Sequence, residues 1–210
     1  MVGDRTRDRA RVLACAAVRG FRFAAALALC ASVALAACKP APPAPREIAV
    51  VRVRGYGEIR FALLADKAPR HVANFKALAA THFYDGTTFH RVIPDFMIQG
   101  GDALSKDADP RNDGTGTPGY FIAAEFNDLP HRPGIVSMGR QSEPDTAGSQ
   151  FFIMTTGSES WRPQLDGQYS VFGELISGQD VVDRISAAPR DSRDRPLENV
   201  VIESVRIEPG

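Results

Sequence analysis

The chain is constrained most strongly by its many short apolar runs, which are three to eight residues long and are separated by clusters of Gly, Pro, Asp and Asn. Such runs between turn-forming residues predict β-strands. The runs are Ile48–Arg54, Glu58–Leu64, Phe89–Ile93, Phe96–Ile98, Ile135–Met138, Phe151–Thr155, Val171–Leu175 and Val200–Ile207. A series of many short strands favours a mainly β barrel or sandwich.

Two segments interrupt this β pattern with helical periodicity. Pro69 suits a first helical turn, and apolar residues then recur on one face through residue 81, while a second helix fits Gln179 to Ala187. The predicted inward-facing residues are Val72, Phe75, Leu78 and Ala79 in the first helix and Val181, Val182 and Ile185 in the second. A closed antiparallel barrel capped by two α-helices accommodates this order of elements.

The first 37 residues have the composition of a signal peptide. An Arg-rich segment from Arg5 to Arg22 precedes the uncharged apolar stretch Phe23–Ala37. At 15 residues this stretch is shorter than the roughly 20 needed to span a bilayer, so a permanent transmembrane helix is the weaker interpretation. We therefore predict a signal peptide over residues 1–37 and export of the remainder.

The apolar stretch ends at Leu35-Ala36-Ala37-Cys38, which resembles the lipobox of bacterial lipoproteins. An ordinary secretory cleavage site with a chance cysteine is the alternative. No cysteine follows Cys38, so it has no later partner for a disulfide, whereas a thioether lipid anchor needs only one thiol. The resemblance implies lipidation of Cys38, a membrane anchor and a periplasmic-side location, and Lys39 after the cysteine favours the outer membrane.

The remaining chain divides into a tether and one domain. Residues 39–46 contain four prolines and predict an extended spacer of roughly 25 Å, so 38–46 is the lipidated cysteine with its tether. Residues 47–210 contain no repeat and are taken as one domain with its own core. Nothing in the sequence indicates a dimer interface, and a monomer is the default.

Charge and histidine spacing exclude two classes of partner. After the first 38 residues the chain has 19 basic and 23 acidic residues, a net charge of −4, which argues against nucleic acid. The histidines at positions 71, 82, 90 and 131 are scattered among different predicted elements and have no metal-ligand spacing. We therefore expect no metal and no other cofactor.

Two segments mix large apolar side chains with amides and one arginine. They are residues 89–102, FHRVIPDFMIQGGD, and residues 148–153, GSQFFI. Together they closely resemble the two signatures of cyclophilins, and Gly114–Gly116, Gly134–Met138 and Leu165–Gly167 follow in the family's order. The resemblance implies an eight-stranded closed β-barrel with two helices and peptidyl-prolyl cis-trans isomerase activity on proline-containing segments.

The resemblance also implies the site residues. Arg91 matches the catalytic arginine, and the matching substrate-binding positions are Phe96, Met97, Gln99, Gly139, Arg140, Gln150, Phe152, Leu165 and Tyr169. A guanidinium keeps its charge at physiological pH and holds its donors in a rigid fork, which suits a fixed donor beside the proline nitrogen. Taken alone, the aromatic residues would be barrel core and Arg91 a surface ion-pair partner.

The chain departs from the familiar pattern beside the predicted pocket. Arg140 stands where members often carry Asn, and the following loop is one residue longer. Gln164 replaces a common Trp, with Trp161 three residues earlier, and Tyr169 replaces a common His. The sequence therefore does not determine which backbone groups beside the pocket contact a substrate.

Three functions are compatible with these patterns. The first is an isomerase that assists the folding of exported proteins in the cell envelope. The second is a peptide-binding scaffold or holdase, for which the altered loop and the tether would provide a docking surface. The third, a metal-dependent hydrolase on a similar barrel, lacks ligand spacing.

Overall fold

The computed structural model describes residues 46–210, in which eight strands form one antiparallel sheet. The strands are β1 (Ile48–Val53), β2 (Gly57–Leu63), β3 (Phe89–Ile93), β4 (Met97–Gly100), β5 (Ile135–Met138), β6 (Phe151–Met154), β7 (Val171–Ser177) and β8 (Ile202–Glu208). Their order across the sheet is β3-β4-β6-β5-β7-β2-β1-β8. All eight predicted strands are present, with ends that differ from the predictions by at most two residues.

Within residues 46–210, three α-helices accompany the sheet. Helix α1 spans Pro69–Ala80 and helix α3 spans Gln179–Ser186, which confirms the two predicted helices and their buried faces. Helix α2, Arg162–Leu165, was not predicted, because four residues are too few to carry a helical period.

The prediction of a closed barrel is wrong, since the sheet is a curled half-barrel whose two end strands do not pair with each other in a ladder. Strands β3 and β8 end the sheet order and share no ladder; one isolated bridge joins Thr88 to Val201. The segment between α3 and β8 covers the outer edge of β3 instead, and Val92 N–H donates to the carbonyl oxygen of Asp194 at 2.9 Å. A loop therefore occupies the edge that closure would have required.

The two faces of the sheet carry different residues because side chains alternate along each strand. Val92, Ile98 and Ile153 are paired across β3, β4 and β6, and they belong to the main core under α1 and α3. The neighbouring residues one position away point to the opposite face. A smaller apolar cluster lies there, and it includes Met97 and Phe152.

The main core is centred on the ring of Phe75 in α1. Its centroid lies 4.9 Å from that of Tyr84, 5.3 Å from that of Phe172 and 5.7 Å from that of Phe151. All four rings are fully buried. Tilted and edge-on pairs at these distances stabilise the fold beyond the area they bury.

The first turn of α1 is capped by a residue from a distant loop. Ala68 at the N-cap has no side chain that could accept a hydrogen bond. The buried carboxylate of Glu125 accepts instead from the backbone N–H of Arg70, at 3.1 Å, and of His71, at 2.9 Å. It satisfies two of the amide donors that a helix N-terminus leaves unpaired, and its charge suits the helix dipole.

We expect Glu125→Gln to lower the free energy of unfolding by about 1–2 kcal/mol, because the amide keeps only one acceptor oxygen and no charge. Urea denaturation of both proteins measures the difference. Glu203→Gln, at an exposed partner of Arg52 and Arg54, is the control and should change stability by less than about 0.5 kcal/mol. An equal effect of the two substitutions would contradict the capping role.

The predicted signal peptide, Cys38 and the tether except for Arg46 lie outside the described residues and stay predictions. Within residues 46–210, no helix is long and apolar enough to cross a bilayer.

Candidate active site

The outward-facing side of strands β3, β4 and β6 aligns the predicted site residues. Arg91 is paired with Gln99, and Gln99 is paired with Phe152. Directly paired residues on neighbouring strands present their side chains to the same face. The side chains of Arg91, Gln99 and Phe152 therefore form one row. Arg91 and Phe152, its two ends, are 61 residues apart in the sequence.

This row borders a pocket of about 150 Å³. Nine of the ten predicted catalytic and substrate-binding residues line it: Arg91, Phe96, Met97, Gln99, Gly139, Arg140, Phe152, Leu165 and Tyr169. The tenth, Gln150, lines an adjoining cavity of about 70 Å³. The structure thus brings the predicted residues together, while their contacts with a substrate stay predictions. We call the larger cavity the proline pocket.

The lining of the proline pocket is apolar on one side. Met97, Phe152 and Leu165 are each at least 95% buried, so they form its floor. The ring of Tyr169 stands edge-on to that of Phe152, with centroids 5.4 Å apart. An apolar surface of this kind suits a saturated ring better than a charged group.

Phe96, which lines the proline pocket, contacts a residue that the family pattern did not select. The indole ring of Trp161 stacks on Phe96, with centroids 4.1 Å apart and planes 21° apart. Trp161 precedes α2, whose position no sequence period indicated. Gln164, at the position of the common Trp, is exposed and does not line the pocket.

The polar side of the proline pocket contains Arg91. Its side chain is 41% exposed, and its Nε lies 3.7 Å from Asp194 Oδ2, too far for a hydrogen bond. The guanidinium donates no hydrogen bond to any other residue in the range 46–210. Its donors are therefore available to a molecule in the pocket.

Gln99 is held in one orientation by a relay of amides. Its Nε2 donates to Gln150 Oε1 at 2.9 Å, and Gln150 Nε2 donates to the carbonyl oxygens of Gly114 and Gly116 at 2.9 and 3.0 Å. This relay leaves the carbonyl oxygen of Gln99 as the acceptor beside Arg91. Gln150 thus positions Gln99 from the adjoining cavity.

Arg140 is fixed as part of the pocket wall. Its guanidinium lies over the ring of Tyr169, 4.6 Å from the centroid, and donates to the carbonyl oxygens of Gln168, Gln141 and Ser142. These bonds hold the longer loop against the segment before β7. The departure at Arg140 therefore keeps Tyr169 at the pocket.

Three further residues support the pocket from behind. The buried His131 ring contacts Asp166 Oδ1 through Nδ1 at 3.0 Å and Ser137 Oγ through Nε2 at 2.8 Å, and it stacks on Phe152. Burial lowers the pKa of His131, although Asp166 opposes this shift. Because Ser137 is fully buried, its hydroxyl is inaccessible to a substrate, so the trio supports the pocket and supplies no nucleophile. No sequence motif indicated this contact.

Comparison with known proteins identifies the fold and the site together. The sequence model described as cyclophilin type peptidyl-prolyl cis-trans isomerase matches residues 48–207. The chain belongs to the cyclophilin family. It is a peptidyl-prolyl cis-trans isomerase, as the resemblance of its two signatures predicted.

Bacterial cyclophilins are similar along most of their length. The chain is 43% identical over 172 residues to peptidyl-prolyl cis-trans isomerase B of Streptomyces anulatus, covering 72% of this chain and 91% of the relative. It is 40% identical over 169 residues to a probable peptidyl-prolyl cis-trans isomerase of Brucella suis, covering 78% and 84%.

Solved cyclophilin structures are similar as well. The crystal structure of a cyclophilin type peptidyl-prolyl cis-trans isomerase of Cryptosporidium parvum superposes with a TM-score of 0.69 at 31% identity, covering 79% of this chain and 99% of that one. The same protein, crystallised in the presence of the dipeptide Ala-Pro, gives a TM-score of 0.68.

Within residues 46–210, no group of three or more His, Cys, Asp or Glu side chains is placed to hold a metal ion.

Proposed function

We propose that this cyclophilin isomerises X-Pro bonds of exported proteins at the cell envelope, and that it does so in the proline pocket with Arg91 as the catalytic residue. The observation that carries the proposal is the position of the uncommitted Arg91 guanidinium and the fixed Gln99 amide beside one apolar pocket. The export and anchoring part rests on residues 1–38 of the sequence.

The reaction makes and breaks no covalent bond, so the protein needs no nucleophile. Amide resonance opposes rotation with a barrier of about 18–20 kcal/mol, and X-Pro bonds exchange over tens to hundreds of seconds without a catalyst. In the twisted state the proline nitrogen is pyramidal and regains its lone pair. A catalyst therefore needs only to bind this twisted state more tightly than the planar amide.

Arg91 supplies that difference. A guanidinium N–H bonds the regained lone pair of the twisted nitrogen, whereas the planar nitrogen shares its pair with the carbonyl group and is a poor acceptor. Because the ion pair to Asp194 is long, Arg91 breaks no strong bond to do this. Such preorganised donors are the commonest source of electrostatic catalysis.

The other side chains position the substrate. Met97, Phe152 and Leu165 receive the proline ring and remove water from the amide, which weakens its charge-separated planar form. The carbonyl oxygen of Gln99 accepts a backbone N–H and aligns the residue beside proline. The related structure crystallised in the presence of Ala-Pro supports proline-containing peptides as the substrate class.

The direct test is the exchange rate of a short X-Pro peptide, measured by exchange NMR with and without the full chain. We expect a large acceleration that a metal chelator does not change. If the folded chain gave no acceleration, the proposed mechanism would be wrong and a peptide-binding scaffold would remain.

The proposed location has its own test. We expect expression in a bacterial host to give a mature protein that begins at a lipid-modified Cys38, detected by mass spectrometry of its first peptide. Cys38→Ser should abolish the modification, because only a thiol forms the thioether. Cys30→Ser, within the apolar stretch, is the matched control and should leave it intact. A mature protein beginning elsewhere would contradict the anchor, and membrane fractionation then distinguishes inner from outer membrane.

A further inference from the structure

Apart from the small cavity at Gln150, another cavity adjoins the proline pocket at Arg91 and Gln99, which line both, and we call it the second cavity. Its volume is about 230 Å³, far more than the roughly 30 Å³ share of one water. The other lining residues are His90, Pro110, Asp113, Gly114, Arg193 and Arg195. A peptide whose proline occupies the pocket therefore passes this cavity within a few residues.

The lining of the second cavity is positively charged. It contains the guanidinium groups of Arg91, Arg193 and Arg195 but only one carboxylate, Asp113. His90 adds no charge at neutral pH, because burial lowers its pKa. The excess of cations over anions favours an acidic ligand.

Arg195 and Asp113 form a hydrogen-bonded ion pair with each other. Arg195 Nε donates to Asp113 Oδ2 at 2.8 Å, and Arg195 Nη2 donates to Asn199 Oδ1 at 2.9 Å. Both charged side chains of the pair are largely buried. This pair therefore forms the fixed wall of the cavity and neutralises its only carboxylate.

The other two guanidinium groups have no comparable partner. Arg193 Nη2 lies 3.9 Å from Asp191 Oδ2, and Arg91 Nε lies 3.7 Å from Asp194 Oδ2. Neither side chain donates a hydrogen bond to another residue of the described domain.

The two nearby carboxylates each have closer partners at the oxygen that faces away from these guanidinium groups. Asp191 Oδ1 accepts the backbone N–H groups of Arg193 and Arg195 at 2.8 and 3.0 Å. Asp194 Oδ1 lies 3.3 Å from Arg190 Nε. Two guanidinium forks with free donors thus border one cavity.

We propose that this second cavity is a carboxylate subsite, in which Arg193, together with the Arg91 donors that the proline nitrogen does not use, binds an Asp or Glu side chain located within three residues of the substrate proline. The proposal rests on the isomerase function and names the substrate class that the site prefers. Planar guanidinium groups match carboxylate oxygens in paired hydrogen bonds. An extended chain advances about 3.3–3.6 Å per residue, which limits the acidic residue to the proline's near neighbours.

The test uses peptides with one proline and capped ends, so that a side chain supplies the only charge. Glu, Gln or Lys occupies each position from three residues before the proline to three after it. Exchange NMR with the full chain gives kcat/KM for each peptide. At one position or more we expect Glu to exceed Gln by about three- to tenfold and Lys to fall below Gln. About 0.5 M NaCl should reduce the ratio of Glu to Gln.

The variant that tests the subsite is Arg193→Gln, whose side chain is 58% exposed and has no fixed hydrogen bond, so that the domain is expected to fold. We expect the ratio of Glu to Gln at the preferred position to fall by at least half. Arg206→Gln removes a similarly exposed arginine that lines neither cavity, and it should keep the wild-type ratio.

Two results would overturn the subsite. One is an equal ratio of Glu to Gln in the wild type and in Arg193→Gln, and the other is no preference for Glu at any position while the Gln peptides are isomerised normally. Failure to isomerise either peptide would be a different result, because it would overturn the isomerase mechanism together with the subsite.

Discussion

Replacing Arg91 with alanine is expected to lower kcat/KM for a neutral X-Pro peptide by about 10²- to 10³-fold, the usual effect of removing one preorganised donor. The free energy of unfolding should change by less than about 1 kcal/mol, because the side chain is part-exposed and its ion pair with Asp194 is long. Exchange NMR measures the rate, and urea denaturation measures the stability.

Two variants sharpen this result. Arg91→Lys keeps the charge but loses the planar fork, so we expect it to retain only part of the activity. Arg206→Ala removes an arginine with a similarly long ion pair, 3.8 Å from Glu58, and should leave kcat/KM unchanged. Full activity in folded Arg91→Ala would exclude Arg91 as the catalytic residue. A cellular role that survives loss of activity would favour the scaffold hypothesis.

The second large effect is a loss of stability on mild acidification. His71, His90 and His131 are buried, and burial lowers the pKa of all three below the ordinary histidine value of about 6.5. Below about pH 6.5 these histidines therefore bind protons more readily in the unfolded chain than in the folded chain. The stabilisation is complete above that pH and is lost as the pH falls.

One pH unit below 6.5, each such histidine removes at most about 1.4 kcal/mol, and the three together remove at most about 4 kcal/mol. Urea denaturation at pH 7.5 and at pH 5.5 measures this loss. Carboxylates with a lowered pKa, such as Asp166, contribute only near and below about pH 4, so they do not affect this window.

His71→Leu tests the contribution of one of the three histidines to this pH dependence. Neither ring nitrogen of His71 has a hydrogen-bond partner among the described residues, so removing them breaks no hydrogen bond. We expect unchanged or higher stability at pH 7.5 and a loss at pH 5.5 that is smaller by up to about 1.4 kcal/mol. His82→Gln, at a side chain that is 79% exposed, should retain the wild-type loss. An unchanged pH dependence in His71→Leu would exclude this explanation for that residue.

The sequence located most of the fold because strand and helix periodicity is local. Short apolar runs bounded by turn-forming residues marked all eight strands, and the spacing of Val72, Phe75 and Leu78 marked the buried face of α1. The open edge of the sheet had no such signal. It depends on where the segment around Asp194 runs, and an irregular segment has no period that reports its path.

Six of the ten predicted site residues came from the two ordered motifs, and the strand register explains how those motifs meet. Arg91 and Gln99 are eight residues apart on one hairpin, and Phe152 lies on the strand that pairs next. Supporting residues outside the predicted set were missed. Trp161, directly before the unpredicted α2, stacks on Phe96, and His131 meets Asp166 across 35 residues.

The sequence by itself determined the eight strands, the helices α1 and α3 with their buried faces, and the isomerase family. Only the tertiary structure decided that the sheet stays open, that Glu125 caps a helix 54 residues before it in the chain, and that Arg193 stands beside Arg91 at a second cavity. The reason is physical. Burial within an element follows from nearest neighbours along the chain, whereas contacts between loops depend on how the whole sheet curls and brings distant segments together.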